Sequence, residues 1–232
     1  MKAIILGNSQ AQGAGTKLES ELKRIGYSVT RLAKHGAKNK DLISLYKTKS
    51  HPEYDLAVVF SGDPSGVSDV CKLFESVPYF VWYGPPPATK ILDVAYARKV
   101  FGSKVTGSDY WFESGHAAQR ERDSDSIRKS VSGKATFIDF KDIDGVGGEL
   151  QKSGVVFPSM KDGIHIDSAY YSRMFNAPNF PNNVVSSRSN DNKRVLIALS
   201  LSAAVAIAAI VIASKRGKFD GYAQGMLPSA AN

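Results

Sequence analysis

Five short apolar runs alternate with segments of helical periodicity in residues 1–140, and this alternation most constrains the fold. The first run, residues 3–6, is followed by Leu18, Leu22 and Ile25, whose spacing marks one face of a helix. Apolar runs that each lead into a helix are typical of parallel strands covered on both faces. The other four runs are residues 27–32, 56–60, 79–83 and 135–139. The sequence therefore predicts a doubly wound, mostly parallel, flavodoxin-like α/β domain with three layers.

The segments between these runs predict the helices of the same domain. Besides residues 17–25, helical patterns cover residues 38–46, 67–74 and 91–100. Residues 113–134 are polar and mix charges of both signs, a pattern typical of a solvated helix or loop rather than a binding patch. The turn YGPPPATK, residues 83–90, is predicted to be a rigid exit from the fourth strand, since proline fixes the backbone φ angle.

A change of composition marks the end of this domain. Residues 176–193 contain six asparagines and two prolines, which are typical of a linker. We therefore expect an α/β domain over residues 1–176 and an Asn-rich linker over residues 177–193.

Residues 195–214 form a stretch of twenty residues without a charge, in which ten are Leu, Ile or Val. A helix of this length spans about 30 Å, the thickness of the hydrocarbon core of a bilayer. A buried helix of a globular domain is the alternative, although a helix this long usually keeps a polar face. We expect a transmembrane helix over residues 194–215 that contacts the lipid bilayer through 195–214, followed by a short polar tail over 216–232. Lys and Arg on both flanks leave the orientation open.

Composition argues against several other classes of protein. The net charge is +8, but the basic residues are scattered and no basic run is interleaved with aromatic residues, so nucleic-acid binding is not predicted. Cys71 is the only cysteine, which excludes an internal disulfide. No cofactor or metal is expected, because the glycine-rich turns lack a nucleotide-binding order and ligand residues do not cluster.

The turn GNSQAQG, residues 7–13, places Ser9 directly after the first predicted strand. Ser9 is either a nucleophile or a cap of the following helix. A nucleophilic serine needs a base, and His165 in KDGIHID has Asp162 three residues before it. A local Asp–His hydrogen bond at the surface would also explain that spacing. The remaining histidines, His35, His51 and His116, have no acid at a suggestive spacing.

Four blocks in order resemble the SGNH (GDSL-type) hydrolase family over about residues 1–176. They are GNSQAQG, HGAKNKDL after the second strand, SGDPSG after the third, and DGIHID near the end of the domain. The resemblance implies that Ser9 is the nucleophile, His165 the general base and Asp162 the acid that orients the histidine. It also implies an oxyanion hole built from the backbone N–H groups of Ser9 and Gly36.

Two positions depart from the pattern of that family. Asn8 stands where the family has the aspartate of Gly-Asp-Ser, and Asp63 stands where the family has an asparagine that donates to the oxyanion. An ionised Asp63 would oppose the reaction, so three possibilities follow. Asp63 is protonated by burial, Asn39 or another amide replaces it, or the site is weak or inactive.

The sequence therefore leads to two functional expectations. The first is a membrane-anchored SGNH-type serine hydrolase, an esterase or deacetylase that forms an acyl-enzyme on small acyl esters, including acylated cell-wall glycans. The second is a weakly active or inactive structural or interaction protein with the same fold. In both, the C-terminal helix is a single-pass anchor in a cellular membrane or in the internal membrane of a virus particle.

Overall fold

A parallel sheet of five strands is the centre of the part of the chain that the computed structural model describes. The described residues are 1–140, 143, 161–166 and 180, and they all lie within one unit, Met1–Pro181. The strands among them are β1 (Lys2–Gly7), β2 (Ser28–Ala33), β3 (Leu56–Phe60), β4 (Tyr79–Tyr83) and β5 (Thr136–Ile138). The helices are α1 (Ser9–Arg24), α2 (Asn39–Lys47), α3 (Val67–Leu73), α4 (Val94–Phe101), α5 (Tyr110–Glu113) and α6 (His116–Val131).

The strand order is β2-β1-β3-β4-β5, and all four pairings are parallel. The chain moves from β1 to one side for β2 and then to the other side for β3, so the direction of winding reverses between β1 and β3. Ligands of such sheets bind outside the carboxyl ends of the strands at this reversal. The predicted doubly wound α/β fold is confirmed, and its topology indicates where a site would form.

Helices cover both faces of the sheet. On one face, Ile4 and Leu6 belong to a core cluster with side chains of α2, α3 and α6. On the other face, Gly15 of α1 lies so close to β1 that a Cβ at this position would be 3.2 Å from the Ile5 side chain. Because both faces are covered, the central strand β3 is buried along its whole length, which explains why its sequence is a continuous apolar run.

Two helices differ from the sequence predictions. Helix α1 begins at Ser9 rather than near residue 17, because small residues in its first turns let it approach β1 closely. The polar run 113–134 includes α6, and this helix is not wholly solvated. Its residues Ile127 and Val131 are fully buried in the core cluster. They are separated by four positions and lie on one helix face, while the charged residues around them obscure this pattern.

Apart from Phe180, which belongs to the predicted linker, the predicted C-terminal elements lie outside the described residues. These are the linker 177–193, the transmembrane helix 194–215 and the tail 216–232. Among the residues that the structure describes, no helix has both the length and the apolar character needed to cross a membrane.

Candidate active site

Ser9 lies at the carboxyl end of β1, as the first residue of α1. The cap of this helix is Asn8, whose side-chain Oδ1 accepts a hydrogen bond from the backbone N–H of Gln10 at 3.1 Å. The turn is tight, because a Cβ on Gly7 would lie 2.6 Å from the carbonyl oxygen of Phe60. The Ser9 hydroxyl is therefore not used as the helix cap, and it is available for chemistry.

Ser9, His165 and Asp162 form a continuous hydrogen-bonded line. The Ser9 Oγ lies 3.2 Å from His165 Nε2, and His165 Nδ1 lies 2.8 Å from Asp162 Oδ2. The other oxygen, Asp162 Oδ1, accepts the backbone N–H groups of Ile164 at 2.9 Å and His165 at 2.8 Å. The Phe101 ring is parallel to the His165 imidazole, with 5.8 Å between the ring centroids. These contacts fix the histidine with Nε2 toward the serine, as in a Ser-His-Asp triad.

The environment of Asp162 keeps this carboxyl ionised. The side chain is only 2% exposed, and burial alone would raise its pKa. The hydrogen bonds from the His165 ring and from the two backbone N–H groups outweigh that effect and lower the pKa of Asp162 below its ordinary value. An ionised Asp162 accepts a hydrogen bond from the N–H at His165 Nδ1, and in this tautomer Nε2 is free to accept the proton of Ser9.

The segment 161–166 is held in place by the rest of the domain. The backbone N–H of Thr89 donates to the Gly163 carbonyl at 2.9 Å, and the Trp111 indole N–H donates to the Asp162 carbonyl at 2.7 Å. Gly163 has a φ of +77°, and a Cβ there would lie 2.6 Å from the Thr89 carbonyl oxygen. A glycine at this position therefore permits the close contact that positions the Asp–His pair.

Gly36 lies in the loop after β2 and lines the same cleft as Ser9. Its φ is +65°, in the left-handed region that favours glycine. Ser9 and Gly36, whose backbone N–H groups are the predicted donors of the oxyanion hole, therefore line one cleft.

Asp63 does not fit the role of oxyanion donor. Its Oδ2 accepts the backbone N–H of Asn39 at 2.9 Å, and its Oδ1 accepts the backbone N–H of Ser65 at 3.1 Å and the Ser65 hydroxyl. Partial burial would raise the pKa of Asp63, but these hydrogen bonds and the nearby Lys38 lower it below its ordinary value. An ionised carboxylate only accepts hydrogen bonds. These contacts favour the ionised form and so argue against the first of the three possibilities, in which a protonated Asp63 takes the place of the asparagine in the family.

Asn39 does not take the place of the oxyanion-donating asparagine of the family either. Its side chain is fully buried, and its Nδ2 group donates to the carbonyl oxygens of Asp63 and Ser65, both at 2.8 Å. Its Oδ1 accepts the Ser61 hydroxyl at 2.7 Å. Both amide hydrogens are used inside the protein, so the role of Asn39 is to hold the loop after β3 against α2.

A cleft of about 440 Å³ opens above the carboxyl ends of β1, β3 and β4. Ser9 and His165 lie in its wall with Gly36 and Asp63. Residues 84–86 of the YGPPPATK turn also line it, so this turn contributes to the cleft as well as ending β4. The position of the cleft agrees with the reversal of strand order at β1 and β3.

Sequence reasoning missed two residues of this cleft, His116 and Arg120. They lie one turn apart on α6, and Arg120 Nε donates to His116 Nε2 at 3.1 Å. Burial, followed by the charge of Arg120, lowers the pKa of His116. Burial also lowers the pKa of Arg120 to about 10, so the guanidinium still holds its charge at neutral pH. The sequence feature that could have identified them is their helical spacing. His116 and Arg120 lie on the same face of α6 as the buried Ile127 and Val131.

The other two histidines have different surroundings. The His35 ring lies 6.3 Å from the His165 ring at the edge of the site. The His51 ring stacks on Tyr46 at 3.9 Å, away from the cleft, and has a structural role. Within the described part of the chain, no group of three or more His, Cys, Asp and Glu side chains is placed to hold a metal ion.

Comparison with known proteins supports the fold class. No family model matches the chain, and no curated protein matches it significantly. A solved structure from Parabacteroides merdae, provisionally described as a GDSL-like lipase, superposes with a TM-score of 0.51 at 12% sequence identity. The match covers 76% of this chain and 92% of that one. At this identity the likeness concerns the fold alone, and the chain therefore shares the α/β fold of that structure.

Proposed function

We propose that this protein is a serine hydrolase of the SGNH type that cleaves small acyl esters. The hydrogen-bonded line from Ser9 Oγ through His165 to Asp162 is the observation that supports this proposal most directly. A serine is a weak nucleophile unless a base removes its proton, and a base is effective when its tautomer is fixed. Ser9 and His165 line one cleft, and Asp162 adjoins it, so a candidate base and a partner that orients this base both lie next to the serine.

The proposed reaction has two halves. His165 Nε2 takes the proton of Ser9 as Oγ attacks the ester carbonyl, and the oxyanion is stabilised by the backbone N–H groups of Ser9 and Gly36. The intermediate breaks its bond to the alcohol, which leaves with the proton from His165, and the acyl group remains on Ser9. Water then loses a proton to His165 and attacks the acyl group. The bond between the acyl carbon and Ser9 Oγ breaks as His165 returns this proton to Oγ, which releases the acid and restores the Ser9 hydroxyl and the neutral imidazole.

Hydrolysis of p-nitrophenyl acetate by the full chain tests this proposal. We expect Ser9→Ala to lose the activity, and mass spectrometry of the unmodified chain under turnover to detect an acetyl group on Ser9. Ser44→Ala is the matched control, because Ser44 lies on the exposed face of α2 and its hydroxyl only donates to the Lys40 carbonyl. Equal rates for Ser9→Ala and the unmodified chain would refute the proposal.

Acylated glycans, including those of cell walls, are the substrate class we propose. The support is the resemblance to the SGNH hydrolases together with a cleft of about 440 Å³ that is open to solvent and lined by both polar and apolar residues. Release of acetate from an acetylated cell-wall glycan, compared with the same glycan after chemical deacetylation, measures this activity. Activity on p-nitrophenyl acetate without acetate release from any acetylated glycan would contradict this substrate class.

We also propose that residues 195–214 anchor the protein in a membrane as a single-pass C-terminal helix. The support is the uncharged stretch with basic residues on both flanks. The full chain is expected to sediment with membranes, cellular or viral, and a chain that lacks residues 194–232 to remain in the supernatant. A full-length chain found in the supernatant would contradict the anchor.

The charge on Asp63 favours a second candidate, a weakly active or inactive interaction protein with this fold. A carboxylate in the wall of the cleft opposes the negative charge of the tetrahedral intermediate. Asp63→Asn removes that charge, and a severalfold rise in the rate of ester hydrolysis would identify Asp63 as the cause of low activity. If neither the unmodified chain nor Asp63→Asn hydrolyses esters, the second candidate is the better account.

A further inference from the structure

Arg120 places a positive charge beside the proposed catalytic residues, and no carboxylate of the described residues forms a direct ion pair with it. Its Nε donates to His116 Nε2, and its Nη1 donates to the Pro86 carbonyl at 2.7 Å. Both acceptors are neutral, because His116 must be unprotonated at Nε2 to accept this bond. Within the described residues no ion pair to Arg120 is formed. Arg120 is half-buried. Taking a cation out of water costs free energy unless it is paired, so this guanidinium lacks the charged partner that partial burial favours.

The two nearby carboxylates, Asp162 and Asp123, form hydrogen bonds with groups other than Arg120. Asp162 and Asp123 act on Arg120 through their charge. Both oxygens of Asp162 accept hydrogen bonds within the segment 161–166. Asp123 Oδ1 accepts the side-chain amide of Gln119 at 2.7 Å. Neither carboxylate therefore occupies the free N–H groups on the Nη side of the guanidinium.

A second cleft, of about 830 Å³, adjoins Ser9 and His165 on the side of α6. Arg120 borders both clefts. Lys104 and Arg122 add two further cations to the wall of the second cleft, and the described residues that line it include no Asp or Glu. A surface of one sign raises the local concentration of ligands of the opposite sign. The second cleft is thus suited to a negatively charged group next to the reacting serine.

We propose that Arg120 is a specificity-determining residue that binds an anionic group, a carboxylate or a phosphate, on the alcohol portion of the acyl ester. The planar guanidinium offers paired N–H donors that match the two oxygens of such a group. The bonds to His116 and Pro86 hold the guanidinium in place and use Nε and one N–H of Nη1. The other Nη donors belong to a side chain that lines both clefts. This inference rests on the proposed hydrolase function and deepens it by defining the substrate as an ester of an anionic alcohol, such as an acidic sugar.

Three acetate esters with similar shape test the inference: 4-acetoxybenzoate, 4-acetoxyphenyl phosphate and the neutral methyl 4-acetoxybenzoate. Each variant is compared with the unmodified chain on each ester, which cancels the differences in intrinsic reactivity. We expect Arg120→Gln to lower kcat/KM for an anionic ester at least about tenfold more than for the neutral ester. Arg120→Lys should retain part of the preference, because it keeps the charge and loses the planar donor pair.

Arg24→Gln is the matched control, since Arg24 pairs with Glu21 on the exposed surface of α1 and should leave all three rates unchanged. Whichever anionic ester loses more kcat/KM in Arg120→Gln shows whether a carboxylate or a phosphate is the preferred group. An equal loss on neutral and anionic esters would overturn the inference.

A binding measurement separates this inference from the hydrolase proposal. In the Ser9→Ala background, calorimetry with 4-hydroxybenzoate and with phenyl phosphate reports anion binding without any reaction. Binding that weakens at least about tenfold on adding Arg120→Gln supports the anion site even if the unmodified chain hydrolyses no ester. Hydrolysis by the unmodified chain with no binding that depends on Arg120 would overturn the anion site and leave the hydrolase proposal intact.

Discussion

Asp162 and His165 are joined twice, through the imidazole ring and through the backbone. The carboxylate accepts the ring Nδ1–H and the backbone N–H of His165, both at 2.8 Å. One side chain therefore sets the orientation of the ring and the conformation of the turn that presents it. Loss of the negative charge would affect the tautomer of His165 while leaving an oxygen that can still accept the backbone bonds.

Asp162→Asn is expected to keep the fold and to lower kcat for ester hydrolysis by about 10⁴-fold, because the amide favours the wrong tautomer of His165. The measurement is steady-state hydrolysis of p-nitrophenyl acetate, with circular dichroism to verify the fold. Asp69→Asn is the control, since Asp69 forms only an exposed pair with Lys72. A well-folded Asp162→Asn with the full rate would contradict the assigned role.

Asp162 also makes stability depend on pH. Its pKa is lowered in the folded state, so the ionised form stabilises the protein above its unfolded pKa of about 3.9. That contribution is lost as the pH falls through the lower folded value. Urea unfolding should therefore show that the difference in free energy of unfolding between the unmodified chain and Asp162→Asn narrows below about pH 4. A difference independent of pH between 7 and 2.5 would contradict the lowered pKa.

Gly163→Ala is expected to reduce both stability and activity. The new Cβ would lie 2.6 Å from the Thr89 carbonyl and 2.8 Å from the Trp111 ring, at a φ that disfavours a side chain. Gly133→Ala is a matched control, because Gly133 has a similar φ of +71° and no atom within 4 Å of the added Cβ. We expect the control to lose about 1 kcal/mol and keep its activity, and Gly163→Ala to lose more. Equal losses of stability for the two would argue against a tight contact at Gly163.

Asp63→Asn tests the role of Asp63 as a support for the start of α2. The amide nitrogen would face an N–H donor of Asn39 or Ser65, so one hydrogen bond is lost and the free energy of unfolding at pH 7 should fall by about 1 kcal/mol. The pKa of Asp63 is lowered in the folded state, so this deficit should be present above about pH 4 and shrink as the pH falls further. A variant as stable as the unmodified chain at pH 7 would contradict this geometry.

The strands of the sheet could be predicted from the sequence because each strand is a local run of apolar residues. Apolar runs placed β3 and β4 at the residues where the structure has them, and parallel winding followed from their alternation with helices. The start of α1 was missed because its first turns contain small and polar residues that pack closely on β1. Long-range contacts were harder to predict from the sequence, because only the folded chain brings Arg120 next to Pro86 and turns the Asp63 carboxylate toward Asn39.

The segment 161–166 reaches Ser9 across 156 positions of the chain and is held by backbone bonds to the loop after β4. The sheet and its first helices close many shorter loops before this segment docks, so assembly of the site is expected to be a late step of folding. The chain has two tryptophans, Trp82 buried in the core and Trp111 bonded to the Asp162 carbonyl. Their combined fluorescence during refolding would report core formation and docking, and recovery of the proposed ester hydrolysis would report docking alone.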